Sequence, residues 1–400
     1  MTAGRSSRPR GAGVASFPLI VVAVLAAAGA SLALAACPGG PTSIGDRLAR
    51  VTAPGPARTA RAPQAPAAQP ASSMRPRVRL MATGGTISNR GDRRLTAEEL
   101  IASVPGLGSY VRAEGEQFRN VQSTELSLDD FLRLSRRIGA VLRGDPDLGG
   151  VVVSAGTDTL EELAYFLHLT VRDRRPVVVV GAMRHPGSPG YEGAANLLAA
   201  FRVAGDPVSR GMGALVVLND EIHSARDVRK ADAVRLDAFD SGATGALGVV
   251  DADRVVYYRR PLRRFGPDSE FDIETTSRLP RVDILLVYQD APGDLIRASV
   301  DAGARGLVIA AAGAGAVSSA QRDGLVAAAD RGVVVVFSTR TGGGRVARGD
   351  LQGVRGSSAT GTPPPLAAED LSPVKARLLL ALGLTRTTDR THLQRLFDDY

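Results

Sequence analysis

The sequence predicts an α/β fold built on parallel sheets and divided into two domains, and three observations point to it. Short Val-rich runs without polar interruption, such as Val151–Val153, Val177–Val180 and Ala214–Leu218, alternate with helical patterns. Such alternation marks strands buried on both faces by crossover helices. A charged, Pro-containing stretch from about Arg259 to Leu279 breaks the alternation, which then resumes. Finally, two hydroxyl-bearing turns each follow an apolar run. They would lie beyond the carboxyl ends of parallel strands, the edge at which open α/β sheets hold ligands.

The chain opens on a basic segment (Arg5 to Arg10) and an uncharged apolar run from Phe17 to Ala36, ending in Leu34-Ala35-Ala36-Cys37. This is the layout of a secretory signal, and the small residues before Cys37 resemble a bacterial lipobox. The expectation is a mature chain that starts at Cys37, carries lipid on that thiol, and is tethered to a membrane in the periplasm or cell envelope. Cleavage after Ala33-Leu34-Ala35, or a retained helix long enough to span a bilayer, are the alternatives. From Pro38 to about Arg75, Pro, Ala and Gly dominate and large apolar residues are few, so the segment reads as a tether. The expected division is a signal peptide over 1–36, a Pro/Ala-rich tether over 37–76, an N-terminal domain over 77–260, a linker over 261–279 and a C-terminal domain over 280–400.

Folded structure is predicted to begin with a strand at 78–82, followed by a helix near 96–103 opened by Thr96 with Glu99 three residues on. Ser127 opens an amphipathic helix whose apolar residues Phe131, Leu134, Ile138 and Val141 recur at helical spacing. A strand at 150–154, a helix at 159–171, the strand Val177–Val180, a helix near 194–203 and the strand Ala214–Leu218 complete the first alternation. The second has strands at Asp283–Tyr288, Gly306–Ala311 and Val333–Ser338, then a helix from Pro373 to Leu382 and a shorter one ending at Tyr400.

Composition narrows the function. The formal charge is +8, but the basic residues are nearly all scattered arginines, which argues against a nucleic-acid partner. One cysteine allows no internal disulfide, and no Cys/His cluster has metal spacing, so no metal or cofactor is expected.

The chemistry concentrates in the two turns, Thr83-Gly84-Gly85-Thr86-Ile87 and Gly156-Thr157-Asp158-Thr159. Gly84 and Gly85 let the backbone leave its strand sharply, so that Thr86 presents a hydroxyl in the crevice. A hydroxyl needs a base to become a nucleophile. None of His168, His185, His223 and His392 lies in a context that suggests one, and the G-x-S-x-G elbow is missing. Lys230 is the other available base, with Asp158 as the carboxylate that would orient it. From the pattern alone, a solvated surface lysine is the favoured reading of Lys230.

From about residue 77 to 400, the chain resembles the bacterial type II L-asparaginases of the asparaginase/glutaminase amidohydrolases. The resemblance runs in order through Ala82–Ile87, Gly156–Glu162 with Ala164–Leu167, Pro176–Arg184, Gly193 with Asn196 and Leu197, Arg226–Lys230, and Ser372–Leu379. It implies a larger N-terminal α/β domain with a mostly parallel sheet and a smaller Rossmann-like C-terminal domain, assembled as a dimer or tetramer. It also implies hydrolysis of L-asparagine to L-aspartate and ammonia. Thr86 would form the acyl-enzyme, with Thr157, Asp158 and Lys230 as the activating group. Gly85, Ser123, Thr124 and Ala182 would line the substrate, Ser123 holding its α-carboxylate. Asp290 stands where the family often has an Asn supplied by a neighbouring subunit.

Several positions depart from the family pattern. The segment from Thr86 to Thr96 is shorter than the family's lid and lacks its tyrosine, with no Tyr before Tyr110. Ala155 replaces a His, Glu192 an Asp and Thr124 a Gln, and Arg340–Arg345 offers no carboxylate. These changes keep two further readings in view: a glutaminase or broader amidohydrolase, and a catalytically weak amino-acid-binding lipoprotein.

Overall fold

A computed structural model describes residues 75–349 and 364–400. The expected signal peptide, nearly all of the tether and Cys37 lie outside the described residues.

The larger sheet has eight strands: β1 (Arg77–Gly84), β2 (Arg112–Val121), β3 (Leu148–Ser154), β4 (Val177–Val180), β5 (Ala214–Leu218), β6 (Glu221–Ser224), β7 (Gly248–Val250) and β8 (Val255–Tyr257). Their spatial order is 8-7-6-5-4-3-1-2. Strands 2, 1, 3, 4 and 5 pair in parallel, whereas 5 to 8 pair antiparallel. The α/β expectation is borne out, but the sheet is mixed. Asn219 and Asp220 take positive φ and turn β5 straight into β6, leaving no room for a crossover helix.

Four helices cover this sheet: α1 (Ala97–Ala102), α2 (Leu128–Gly144), α3 (Leu160–Thr170) and α4 (Gly193–Gly205). Alternate residues of one strand serve opposite faces. Val151 and Val153 pack in one core with Phe131, Leu134 and Phe166, while Val152 packs in the other with Leu80, Leu197 and Phe201. Both predicted helix starts carry reciprocal caps. Thr96 accepts from the Glu99 amide and Ser127 from the Asp130 amide, and each carboxylate accepts from its cap's own N–H.

Strand β2 had no apolar run to announce it. Its Glu114 is held by Arg77 and Arg79 of β1, an edge strand secured by ion pairs and by its ladder to β1.

The second sheet is parallel, with β9 (Val282–Leu286), β10 (Gly306–Ala311), β11 (Val334–Thr339) and β12 (Leu366–Ala367) in sequential order. Helices α5 (Asp294–Asp301) and α6 (Ser319–Asp330), neither anticipated from the sequence, pack beside each other on one face. Helices α7 (Pro373–Gly383) and α8 (Arg390–Asp399) follow, and α7 also lies against α3 of the first sheet. The stretch before β9 is a packed strap: Phe271 and Ile273 are buried, Ser269 donates to the Leu169 carbonyl, and Arg136 donates to the Ile273 carbonyl.

Candidate active site

Strand β1 ends in Thr83-Gly84, and Gly84 and Gly85 take φ of 108° and 84°, values that favour glycine. The Gly85 amide donates to the Val121 carbonyl at 2.9 Å. A Cβ on Gly85 would lie 2.2 Å from the Cα of Gly156, so the two turns touch backbone to backbone. Below this contact, the Thr83 hydroxyl crosses to the Ser154 carbonyl at 2.8 Å.

Thr86 opens a short 3₁₀ turn, Thr86–Ser88, and is partly exposed. Its hydroxyl bonds to none of the described residues. The carbonyl of Gly85 accepts both the amide and the hydroxyl of Ser88, and the Leu95 amide returns to the Ser88 carbonyl. Between them, Asn89–Arg90 and Arg93–Arg94 form a small antiparallel ribbon.

The second turn is more heavily bonded. Thr157 is buried, and its Oγ1 accepts from Lys230 Nζ at 3.0 Å. The same ammonium pairs with Asp158 Oδ1 at 2.6 Å. Lys230 Nζ thus sits in a protected position (side chain 13% exposed) facing an open carboxylate (69% exposed). Lys230 itself is placed by an antiparallel pairing with Phe239 and by its backbone N–H, which donates to Glu161 Oε1 at 3.1 Å. That orientation makes Lys230 a partner of the turn rather than a free surface cation.

Two further segments close on these turns. Ser123 is buried just after β2, its Oγ 2.9 Å from where a Cβ on Gly156 would stand, and its carbonyl accepts the Thr159 hydroxyl at 3.1 Å. Ala182 is buried just beyond β4, and the preceding Gly181 lies against the Ala155 carbonyl and the Thr157 methyl. Asn196 holds this loop by donating to the Gly181 carbonyl at 3.0 Å while accepting the Asn219 amide at 3.1 Å. Glu192 accepts from the amides of Met183 and Arg184. Its neighbour Tyr191 donates its hydroxyl to the Ile87 carbonyl at 3.1 Å. Burial, with Glu192 adding to it, pushes the Tyr191 phenol up to about 12, so it stays a donor at neutral pH.

The structure therefore gathers Gly85, Thr86, Ser123, Thr157, Asp158, Ala182 and Lys230 at the carboxyl ends of β1, β3 and β4. Thr124 is exposed beside Ser123. Asp290 lies on the second sheet, exposed between β9 and α5 with a φ of 57°. Among the described residues, no hydrogen bond or ion pair joins its carboxylate to the cluster. Sequence reasoning gave no role to Tyr191 or to Glu161, although Glu161 falls within the Gly156–Glu162 run.

Two of the histidines are buried and bonded to other groups. Burial pushes His168 down to about 3, and it bonds to the backbone of Ala214. Burial likewise lowers His223 to about 4, where it meets the Ser241 hydroxyl at 2.9 Å. Among the described residues no group of three or more His, Cys, Asp or Glu is arranged to hold a metal ion.

Comparisons with known proteins give a consistent result. Residues 77–263 match the family profile "Asparaginase, N-terminal", and residues 281–397 match "Glutaminase/Asparaginase C-terminal domain". L-asparaginase 2 of Bacillus subtilis (strain 168) is 40% identical over 341 residues, covering 81% of this chain and 87% of its own length. The glutaminase-asparaginase of Pseudomonas fluorescens biotype A is 37% identical over 334 residues, covering 81% and 90%. The crystal structure of a probable cytoplasmic L-asparaginase from Campylobacter jejuni superposes with a TM-score of 0.76 at 34% identity, covering 82% of this chain and all of that one.

Proposed function

The chain belongs to the asparaginase family, spanning both its N-terminal and its glutaminase/asparaginase C-terminal domains, and from that premise we propose that it hydrolyses L-asparagine to L-aspartate and ammonia through a threonine acyl-enzyme at Thr86. The observation that carries the roles of the two turns is the placement of Lys230 Nζ, 3.0 Å from Thr157 Oγ1 and 2.6 Å from Asp158 Oδ1. The adjoining Thr86 hydroxyl bonds to none of the described residues and is open to substrate.

In this reading Thr86 Oγ1 attacks the side-chain amide carbon, and ammonia leaves as the acyl-enzyme forms. A water then cleaves the ester and regenerates the hydroxyl. The Thr157–Lys230–Asp158 group, reacting with Lys230 as the free amine, takes the proton from the attacking oxygen and passes it to the departing nitrogen. Ser123 holds the substrate α-carboxylate, Asp158 its α-ammonium, and backbone around Thr157 and Ala182 stabilises the oxyanion.

Ammonia release from Asn, measured for the wild type and for Thr86→Ala, tests the proposal. Equal background rates in both would sink it. The relative kcat/KM for Asn and Gln in the same assay settles the finer preference, since relatives carry both names. Tight binding of Asn with no turnover would instead favour the amino-acid-binding reading.

Assembly and location complete the proposal. Leu286, Tyr288 and Leu295 expose apolar side chains around Asp290, which supports a second copy of the chain seated there to form a dimer or tetramer. Sedimentation of a Leu286→Glu variant as an unchanged oligomer would count against that surface. Export and lipid tethering rest on the leader and Cys37. Cys37→Ala should then leave the membrane fraction with its chemistry intact, and an unchanged membrane fraction would contradict the lipid anchor.

A further inference from the structure

The fold contains a second lysine that the chemistry above leaves unused. Lys375, in the first turn of α7, is 2% exposed. Its position runs against elementary preferences. A charge out of water is unfavourable, and a cation at a helix N-terminus faces the positive end of the helix dipole. What compensates is specific. Lys375 Nζ donates to the carbonyl of Arg226 at 2.8 Å and to the carbonyl of Val228, and lies 3.9 Å from Glu161 Oε2.

Those carbonyls belong to the residues four and two places before Lys230. The other oxygen of Glu161 accepts the Lys230 backbone N–H at 3.1 Å. Lys375 and Glu161 thus grip one short segment at three successive alternate residues, and that segment ends at the amine bonded to Thr157 and Asp158. We propose that Lys375 is a positioning residue, whose ammonium acts with Glu161 to fix the Arg226–Lys230 segment so that the Lys230 amine stays within reach of Thr157 and Asp158. The inference rests on the amidohydrolase reading of that site.

The geometry has a consequence in pH. Glu161 and the Tyr165 ring of α3 face the ammonium, the ring centroid 5.9 Å away, together with Arg226, Asp227 and Arg229 of the gripped segment. Burial lowers the Lys375 pKa most, Glu161 and Asp227 raise it, and Arg226 and Arg229 lower it again, leaving it at about 8 against the usual 10.5. Below about 8 the charged group holds both carbonyls and Glu161. Above it, a neutral amine keeps weaker donors and loses its attraction to Glu161.

Global stability responds with the opposite sign. A lysine with a lowered folded pKa binds fewer protons folded than unfolded between about 8 and 10.5. Its contribution to stability therefore rises with pH through that window. Loss of activity above about 8 is then a loss of position and not of fold.

The test uses the full chain and steady-state Asn hydrolysis across pH values on both sides of this titration. The wild type should lose kcat on the alkaline side. Lys375→Met should lower kcat by about 10- to 100-fold, the scale of a small misplacement in a catalytic group, with KM nearly unchanged and the alkaline fall abolished. Glu161→Gln keeps an oxygen for the Lys230 N–H but removes the charge facing Lys375, so the alkaline midpoint should move to lower pH. A folded Lys375→Met with wild-type kcat, or with the same alkaline fall, overturns the proposal. Should that variant fail to fold, an unmoved midpoint in Glu161→Gln overturns it equally. A wild type with no turnover fails on the parent reading, which separates the two failures.

Discussion

Thr86 and Thr157 follow neighbouring parallel strands, and their turns touch where Gly85 meets Gly156. Thr157 is buried, its hydroxyl accepts from an ammonium, and that ammonium pairs with the next residue's carboxylate. Thr86 is half-open, its hydroxyl bonds to none of the described residues, and the turn is held through its backbone instead. The difference fits two halves of one job. A nucleophile must be free to meet its substrate, whereas the group that moves its proton must be held in one protonation geometry. A site of this kind can therefore lose a side chain near the nucleophile more readily than one from the relay.

The sharpest way to break that comparison is Lys230→Met. Removing the amine leaves Thr157 without its donor and Asp158 without its partner, and general acid–base groups contribute about 10²–10⁴-fold. Activity should fall by that order in kcat with a smaller change in KM, read from steady-state ammonia release. A fall of only a fewfold would mean that the bonded turn is scaffolding.

Gly85→Ala attacks the contact between the turns. The new Cβ would stand 2.2 Å from the Gly156 backbone at a φ of 84°, so either turn must move. Strain at such a position, added to the clash, should destabilise the fold by about 2–4 kcal/mol. It should also lower kcat by about 10²-fold through misplaced reacting groups. Denaturant midpoint and kcat should fall together. A variant that kept kcat while losing stability would show that the two turns act independently.

How far the sequence carries toward this picture depends on the distance over which each feature is specified. The Val-rich strands, the caps at Thr96 and Ser127 and the two threonine turns are local patterns, and each was legible. So was the ordered run of family motifs, which brought Lys230 to the second turn. Strand β2 was not, because its charged alternation becomes a strand only when Arg77 and Arg79 lie beside Glu114. The antiparallel part of the larger sheet was hidden because its strands β6, β7 and β8, of three or four residues each, are too short to carry a pattern. The supports of the site were the least legible. Lys375 meets the Arg226 carbonyl across 149 residues of sequence, and Tyr191 meets the Ile87 carbonyl across 104. No local pattern encodes such a meeting.

Tyr191→Phe is the mildest of these changes and the one that most sharpens the contrast. It removes one oxygen, and with it the side-chain hydrogen bond to the carbonyl next to Thr86. The ring keeps its packing beside the core that holds Ile87 and Leu197. A neutral hydrogen bond is worth about 1 kcal/mol net, which corresponds to about fivefold in a rate if all of it acts in the transition state. The expected result is a fall in kcat of about three- to tenfold, with KM and the thermal midpoint nearly unchanged. A loss approaching that of Lys230→Met would mean that the Thr86 turn depends on side-chain wiring as much as the Thr157 turn does. No change at all would mean that the backbone bonds of Gly85 and Ser88 already hold Thr86 in place, and that its turn owes its geometry to glycine alone.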